Sequence, residues 1–147
     1  MITEQTDLTT RPELYQMLEL IDKAKDEDVV PLVKDLGSKY TSFTDYLRCV
    51  FDDKIQFLLP EGKPPYRPAD VPATSWHKVH MDLAFWVKGL KGENSNPIRR
   101  EQIFINALEG VHAEDALILV DMIAKKTPSK KLTKEVAVEA FPNFFKK

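Results

Sequence analysis

The sequence predicts an all-α fold, a single domain of about seven short helices with a proline-rich crossing segment at about residues 60–74. Three observations carry this reading. Apolar residues recur at i, i+3, i+4 and i+7 along most of the chain, the spacing of one helix face. No segment alternates apolar and polar residues over five or more positions, so no sheet is assigned. Five of the ten prolines (Pro60, Pro64, Pro65, Pro68, Pro72) fall in one stretch. Prolines fix φ and remove donors, so that stretch should run extended. The 147 residues, 43% hydrophobic, suit one domain, and a chain of this size buries roughly 70% of the surface its unfolded form exposes.

The first helix is expected from about Arg11 to Lys25, with Leu14, Met17, Leu18 and Ile21 on one stripe. Thr10 and Glu13 fit a capping box, and Pro12 suits a first turn. The second helix opens at Asp26-Glu27-Asp28, whose carboxylates complement the positive end of the helix dipole. Pro31 is expected in its first turn and Gly37 as its C-cap. The third, about Ser42 to Asp53, carries Phe43, Tyr46, Leu47, Val50 and Phe51. The run IQFLLP fits a last helical turn or an extended segment equally well.

A fourth helix, about Ser75 to Lys88, would present Trp76, Val79, Leu83, Trp86, Val87 and Leu90 on a broad apolar face, ended by Gly89, Gly92 and the turn GENSN. Asn96-Pro97 is a cap and first-turn proline for a fifth helix to about Glu109, closed by Gly110. It carries Phe104, Ala107, Leu108 and Val111, with Ile98 and Ile105 beside them. The sixth, about Ala113 to Lys125, contains ALILV and should be central. Thr133 starts a short seventh helix stopped by Pro142. Residues 1–10 are expected as a flexible N-terminus and 142–147 as a C-terminal tail; Phe141, Phe144 and Phe145 are expected to close the core, the alternative being an apolar patch for a partner.

Composition excludes several classes. Lys and Arg number 21 against 23 Asp and Glu, so a uniformly basic nucleic-acid binder is ruled out. The single Cys49 forbids an internal disulfide framework or a multi-cysteine zinc cluster. No apolar run approaches the ~20 residues a membrane span needs, and MITEQTDLTT has no basic or apolar signal region. The expected setting is intracellular, with no membrane partner.

No catalytic residue and no metal or cofactor site is assigned. His77 and His80 stand i, i+3 on a predicted helix but lack the third ligand that zinc catalysis needs, and H-K-V-H is not HEXXH. They read as half-exposed residues flanking an apolar stripe, and His112 as a helix cap. No G-x-S-x-G elbow or glycine-rich phosphate loop exists. Cys49, between Leu47 and Val50, reads as a small buried hydrophobe.

Recognition features are more visible. The preformed extended stretch either crosses the domain surface and packs Tyr66 against it, or offers Tyr66 and Arg67 as anchors, with Arg99 and Arg100 on a neighbouring face. Charge is uneven: residues 1–60 hold 7 basic and 12 acidic groups, residues 122–147 hold 7 and 2. Lys125, Lys126, Lys130, Lys131 and Lys134 read first as a solvated basic rim; they are also the one place for a polyanion contact, though no aromatic side chain interleaves there for base stacking.

The stretches CVFDDKIQFLLPEGKPPYRP, RREQIFINALEGVHAEDALILVDM and LTKEVAVEAFPNF resemble successive blocks of a small uncharacterised protein family of large contractile-tailed phages, notably marine T-even-like phages of cyanobacteria. The resemblance covers roughly residues 45–145, with PEGxPPY its most distinctive part. It implies origin and no activity: a phage product in the infected bacterial cytoplasm or in the virion. The expected function is that of a non-enzymatic accessory or adaptor protein binding a phage or host protein complex. The alternatives are nucleic-acid binding through the C-terminal lysines, or a minor virion component.

Overall fold

The structure, a computed structural model, describes residues 11–90 and 96–145. It is all-α, and the described residues contain no strand beyond one isolated antiparallel bridge, Phe57 with Val87. The helices are α1 (Leu14–Lys23), α2 (Asp26–Lys39), α3 (Thr41–Phe51), α4 (Trp76–Val79), α5 (Leu83–Trp86), α6 (Pro97–Gly110), α7 (Ala113–Ile123) and α8 (Lys134–Ala140). A 3-10 turn, His80–Asp82, joins α4 to α5, and another, Pro142–Phe145, follows α8.

α3 is the hub, packing against α2, α4, α7 and α8. Its residues Ser42, Phe43, Thr44, Tyr46, Leu47, Cys49 and Val50 are buried. α7 is central as expected, lying against α1, α3 and α6. Ala116, Ile118, Leu119 and Met122 are buried, whereas Leu117 is 51% exposed. The α1 stripe is fully enclosed.

Several helix ends differ from expectation. α1 starts at Leu14, where Glu13 and Gln16 form the capping box, so Pro12 precedes the helix. Thr10 lies outside the described residues. Pro31 sits inside α2, in its second turn rather than its first. The bond it removes would have gone to the carbonyl of the exposed Glu27. Gly37 does not cap α2, which runs on to Lys39. A Cβ on Gly37 would stand 2.4 Å from Phe141 Cζ and 2.9 Å from Thr44 Cγ2. This glycine admits a neighbour; it does not turn the chain. Gly110 is likewise helical, with Thr74 Cγ2 2.9 Å from a Cβ placed there. Its carbonyl accepts from Ala73 and Thr74 N–H at 2.8 and 3.0 Å, which fastens the end of the proline segment.

The fourth helix is the largest departure. It breaks into α4, the 3-10 turn and α5, and ends at Trp86. Beyond it Leu58 N–H donates to the Trp86 carbonyl at 2.7 Å and Lys88 N–H to that of Gln56 at 2.8 Å. IQFLLP is thus extended, and Val87 belongs to the same bridge. Gly89 turns the chain at φ 89°, leaving Leu90 50% exposed, outside the apolar face assigned to it. Gly92 and the rest of GENSN up to Ser95 fall within residues 91–95, outside those described, and only its last residue, Asn96, is described. Ile98, expected beside the core, is 78% exposed.

The C-terminal part is tied back. Asn96 caps α6 through Ile98 N–H at 2.7 Å, and Thr133 caps α8 through Val136 N–H at 3.3 Å, both as expected. α7 ends at Ile123, short of Lys125, in a Schellman turn: Lys126 N–H donates to the Asp121 carbonyl and Lys125 N–H to that of Met122, each at 2.9 Å. Phe141 and Phe145 pack on the core and Phe144 is 39% exposed.

Candidate functional site

The side chains able to carry chemistry are held in structural roles. His77 Nε2–H donates to the Pro12 carbonyl at 2.7 Å, so Nδ1 is left to accept from Ser42 Oγ–H at 2.8 Å. Burial lowers the His77 pKa, favouring this neutral ring. Trp76 Nε1–H binds the Ser42 carbonyl at 2.7 Å, and His80 Nδ1 lies 2.6 Å from Asp45 Oδ2. The i, i+3 histidines therefore meet an i, i+3 pair on α3, Ser42 and Asp45, and clasp the broken arm to the hub. No group of three or more metal-ligating side chains exists among the described residues. His112 caps α7, its Nδ1 accepting from Glu114 N–H at 3.1 Å. Cys49 is 2% exposed. Its thiol is pushed up to about 12, first by burial and then by Asp45, so it stays protonated at neutral pH.

The residues expected to contact a partner are placed unevenly. Tyr66 packs its ring against the core with Lys63 Nζ 5.5 Å above it, and burial raises the phenol pKa. Arg67 is exposed, its N–H donating to Glu109 Oε2 at 2.9 Å. Arg99 is exposed; Arg100 is only 7% exposed and leaves the surface that the pair was expected to form.

The lysine cluster is mostly intramolecular. Lys125 adopts φ 63° and its Nζ donates to the carbonyls of Cys49, Asp52 and Ile55 at 2.6, 2.9 and 2.9 Å. A cation on the carbonyl end of α3 is well matched to the helix dipole. Lys131 Nζ donates to the Ala24 carbonyl and lies 3.5 Å from Asp26, and Lys134 pairs with Asp53 at 3.2 Å. Lys126 and Lys130 extend into solvent.

A groove of about 590 Å³ opens between α3 and the broken arm. Asp45, Arg48 and Cys49 line one wall; His80, Met81, Leu83, Ala84 and Val87 line the other; Lys88 and Leu90 stand at its end. Met81 is 72% exposed, the Asp45–His80 pair braces the groove from within, and Arg48 and Lys88 are exposed.

A model of a family of unknown function, DUF6433, matches residues 17–129. The chain belongs to that family. The match contains PEGxPPY and begins well before residue 45, so it takes in most of α1 and all of α2 as well, and it ends before α8. No curated protein and no solved structure matches the chain. No described helix is long and apolar enough to cross a membrane. Within this DUF6433 domain the groove was not visible in the sequence, because the expected straight fourth helix would have placed Leu90 in the core. The available signal was Met81, an apolar residue off the Trp76–Val79 stripe.

Proposed function

We propose that this chain is a non-enzymatic adaptor, an accessory protein of a large contractile-tailed phage that holds a phage or host protein in the infected bacterial cytoplasm. The phage origin rests on the three sequence blocks quoted above. The adaptor reading rests on one observation: the groove beside α3 stays open and apolar, with Met81 exposed, while the histidines, the thiol and Lys125 are committed to holding the fold. Met side chains adapt their shape and suit protein-binding surfaces. Arg48 and Lys88 on the rim favour a partner segment that sets carboxylates beside its apolar residues. Nucleic-acid binding has less support, since Lys125, Lys131 and Lys134 already hold protein acceptors.

The test is affinity purification of tagged chain from infected cells, in parallel with Met81→Glu and with the exposed Lys34→Ala as a surface control. A protein that co-purifies with wild type and Lys34→Ala, and is lost with Met81→Glu, supports the reading. Recovery unaffected by Met81→Glu, or nothing above background, overturns it.

A further inference from the structure

A second groove, of about 370 Å³, runs between α1 and α7 on a different set of elements. Its walls are matched. α1 contributes Tyr15, Leu18, Glu19 and Asp22, and α7 contributes Glu114, Leu117, Ile118 and Asp121. Both sets are spaced i, i+3, i+4, i+7, so each is one continuous helix face. In the α7 wall the apolar Leu117 and Ile118 lie between Glu114 and Asp121; in the α1 wall Leu18 stands beside Glu19, between Tyr15 and Asp22. Leu117, on an otherwise buried helix, is 51% exposed here.

The electrostatics have one sign. Four carboxylates line the groove and no basic side chain does. Asp22 accepts from Ser129 Oγ–H and from the Lys130 and Lys131 N–H groups, all neutral donors that leave its charge in place. Glu114 and Glu19 are among the causes that raise the Tyr15 phenol pKa, after burial. A furrow between two packed helices accepts a third helix by the same ridge-and-groove fit that joins the first two.

We propose that the α1–α7 groove docks a cationic amphipathic helix of a partner protein, whose apolar stripe covers Leu117 while its Lys or Arg residues meet the carboxylates at both ends. This surface is separate from the groove beside α3, so the proposal does not depend on that site. It makes the chain able to hold two partners of opposite charge.

The test uses the full chain and two designed helical peptides with the same leucine stripe, one bearing lysines and one glutamates on the flanks, followed by fluorescence anisotropy at two salt concentrations. The lysine peptide should bind saturably at one per chain, about tenfold or more tighter than the glutamate peptide and weaker at high salt. Leu117→Glu and the double charge reversal Glu19→Lys/Asp121→Lys should each cost about tenfold, and Met81→Glu nothing. Circular dichroism confirms folding of each variant, and Leu117 and Glu19 are exposed enough to be replaced without loss of core. Equal binding of both peptides, absence of saturable binding, or insensitivity to Leu117→Glu overturns the proposal. So does sedimentation showing that Leu117→Glu dissolves a dimer, because the occupant is then a second copy of the chain.

Discussion

Asp115 is the most sharply testable residue in the fold. It lies in the first turn of α7, is 0% exposed, and its Oδ1 accepts the Tyr15 N–H at 2.7 Å. Tyr15 is in the first turn of α1, so one carboxylate serves the amino ends of two helices. Its Oδ2 is buried with no hydrogen-bond partner. Two helix dipoles and backbone N–H groups favour the anion, while burial opposes it and wins, raising the pKa from 3.8 to about 6. The groups facing it are Glu13, which raises the value, and His112, which lowers it. A folded pKa above the unfolded one means that this group's contribution is full below 3.8 and is lost as pH rises through about 6. That rise is worth about 3 kcal/mol, most of it between pH 4 and 7.5. Asp115→Asn keeps the acceptor and removes the titration. Urea denaturation of both proteins at pH 4 and 7.5 gives a double difference in which every other titrating group cancels. Relative to wild type, the Asn variant should gain about 2.5 kcal/mol on going from pH 4 to 7.5. A double difference below about 0.5 kcal/mol, within ordinary extrapolation error, would mean that the two helix ends outweigh burial and that the reasoning is wrong.

Other variants probe the packing. Gly37→Ala sets a helix gain of about 1 kcal/mol against displacement of the Phe141 ring, and overpacking of that kind costs about 1–3 kcal/mol. The net should be a lower melting temperature, restored in part by Phe141→Leu; a raised melting temperature for Gly37→Ala alone contradicts the close approach. Lys125→Met removes a cation from three carbonyls and should destabilise by about 2 kcal/mol. Lys125→Gly should lose less, because release of the left-handed conformation returns about 1 kcal/mol, and the opposite order in chemical denaturation refutes this. His77 should titrate below its ordinary 6.5 when followed by its ring proton resonances. Its depressed pKa gives a contribution present above 6.5 and lost as pH falls through the folded value, so a midpoint above 6.5 rules out the neutral clasp.

Much of the fold was legible because it rests on local rules. The α1 stripe, the Asn96 and Thr133 caps and the burial of Cys49 follow from periodicity and side-chain chemistry, and each is present. The main departures share one cause. Gly37 reads as a helix stop from sequence, yet it is a place where Phe141, 104 residues away, comes too close for a Cβ; Gly110 does end α6 as expected, and Thr74 packs on it. The break of the fourth helix was hidden for the same reason. Ser42 and Asp45 hold the arm at His77 and His80, and Gln56 and Leu58 pair with its end. Window-based patterns carry no information on such long-range partners. Leu90 is exposed for the same reason, since Gly89 turns the chain beyond the Phe57–Val87 bridge.

The charge asymmetry invites the same correction at larger scale. A basic C-terminal segment and an acidic N-terminal half suggest an outside polyanion when each is read alone. In the folded chain they answer one another: Ser129 and the Lys130 and Lys131 amides close on Asp22, Lys131 reaches Ala24 and Asp26, Lys134 meets Asp53, and Lys125 sits on the end of α3. The segment after α7 is thus a clamp over the start of α2 and the end of α3. Its cations are used where backbone carbonyls converge, and they do not line the α1–α7 groove. Glu19, Glu114 and Asp121 therefore face solvent beside an exposed leucine. Positive charge is plentiful in the chain, yet among the described residues none of it lines this groove, and that mismatch is what the proposed cationic helix would answer.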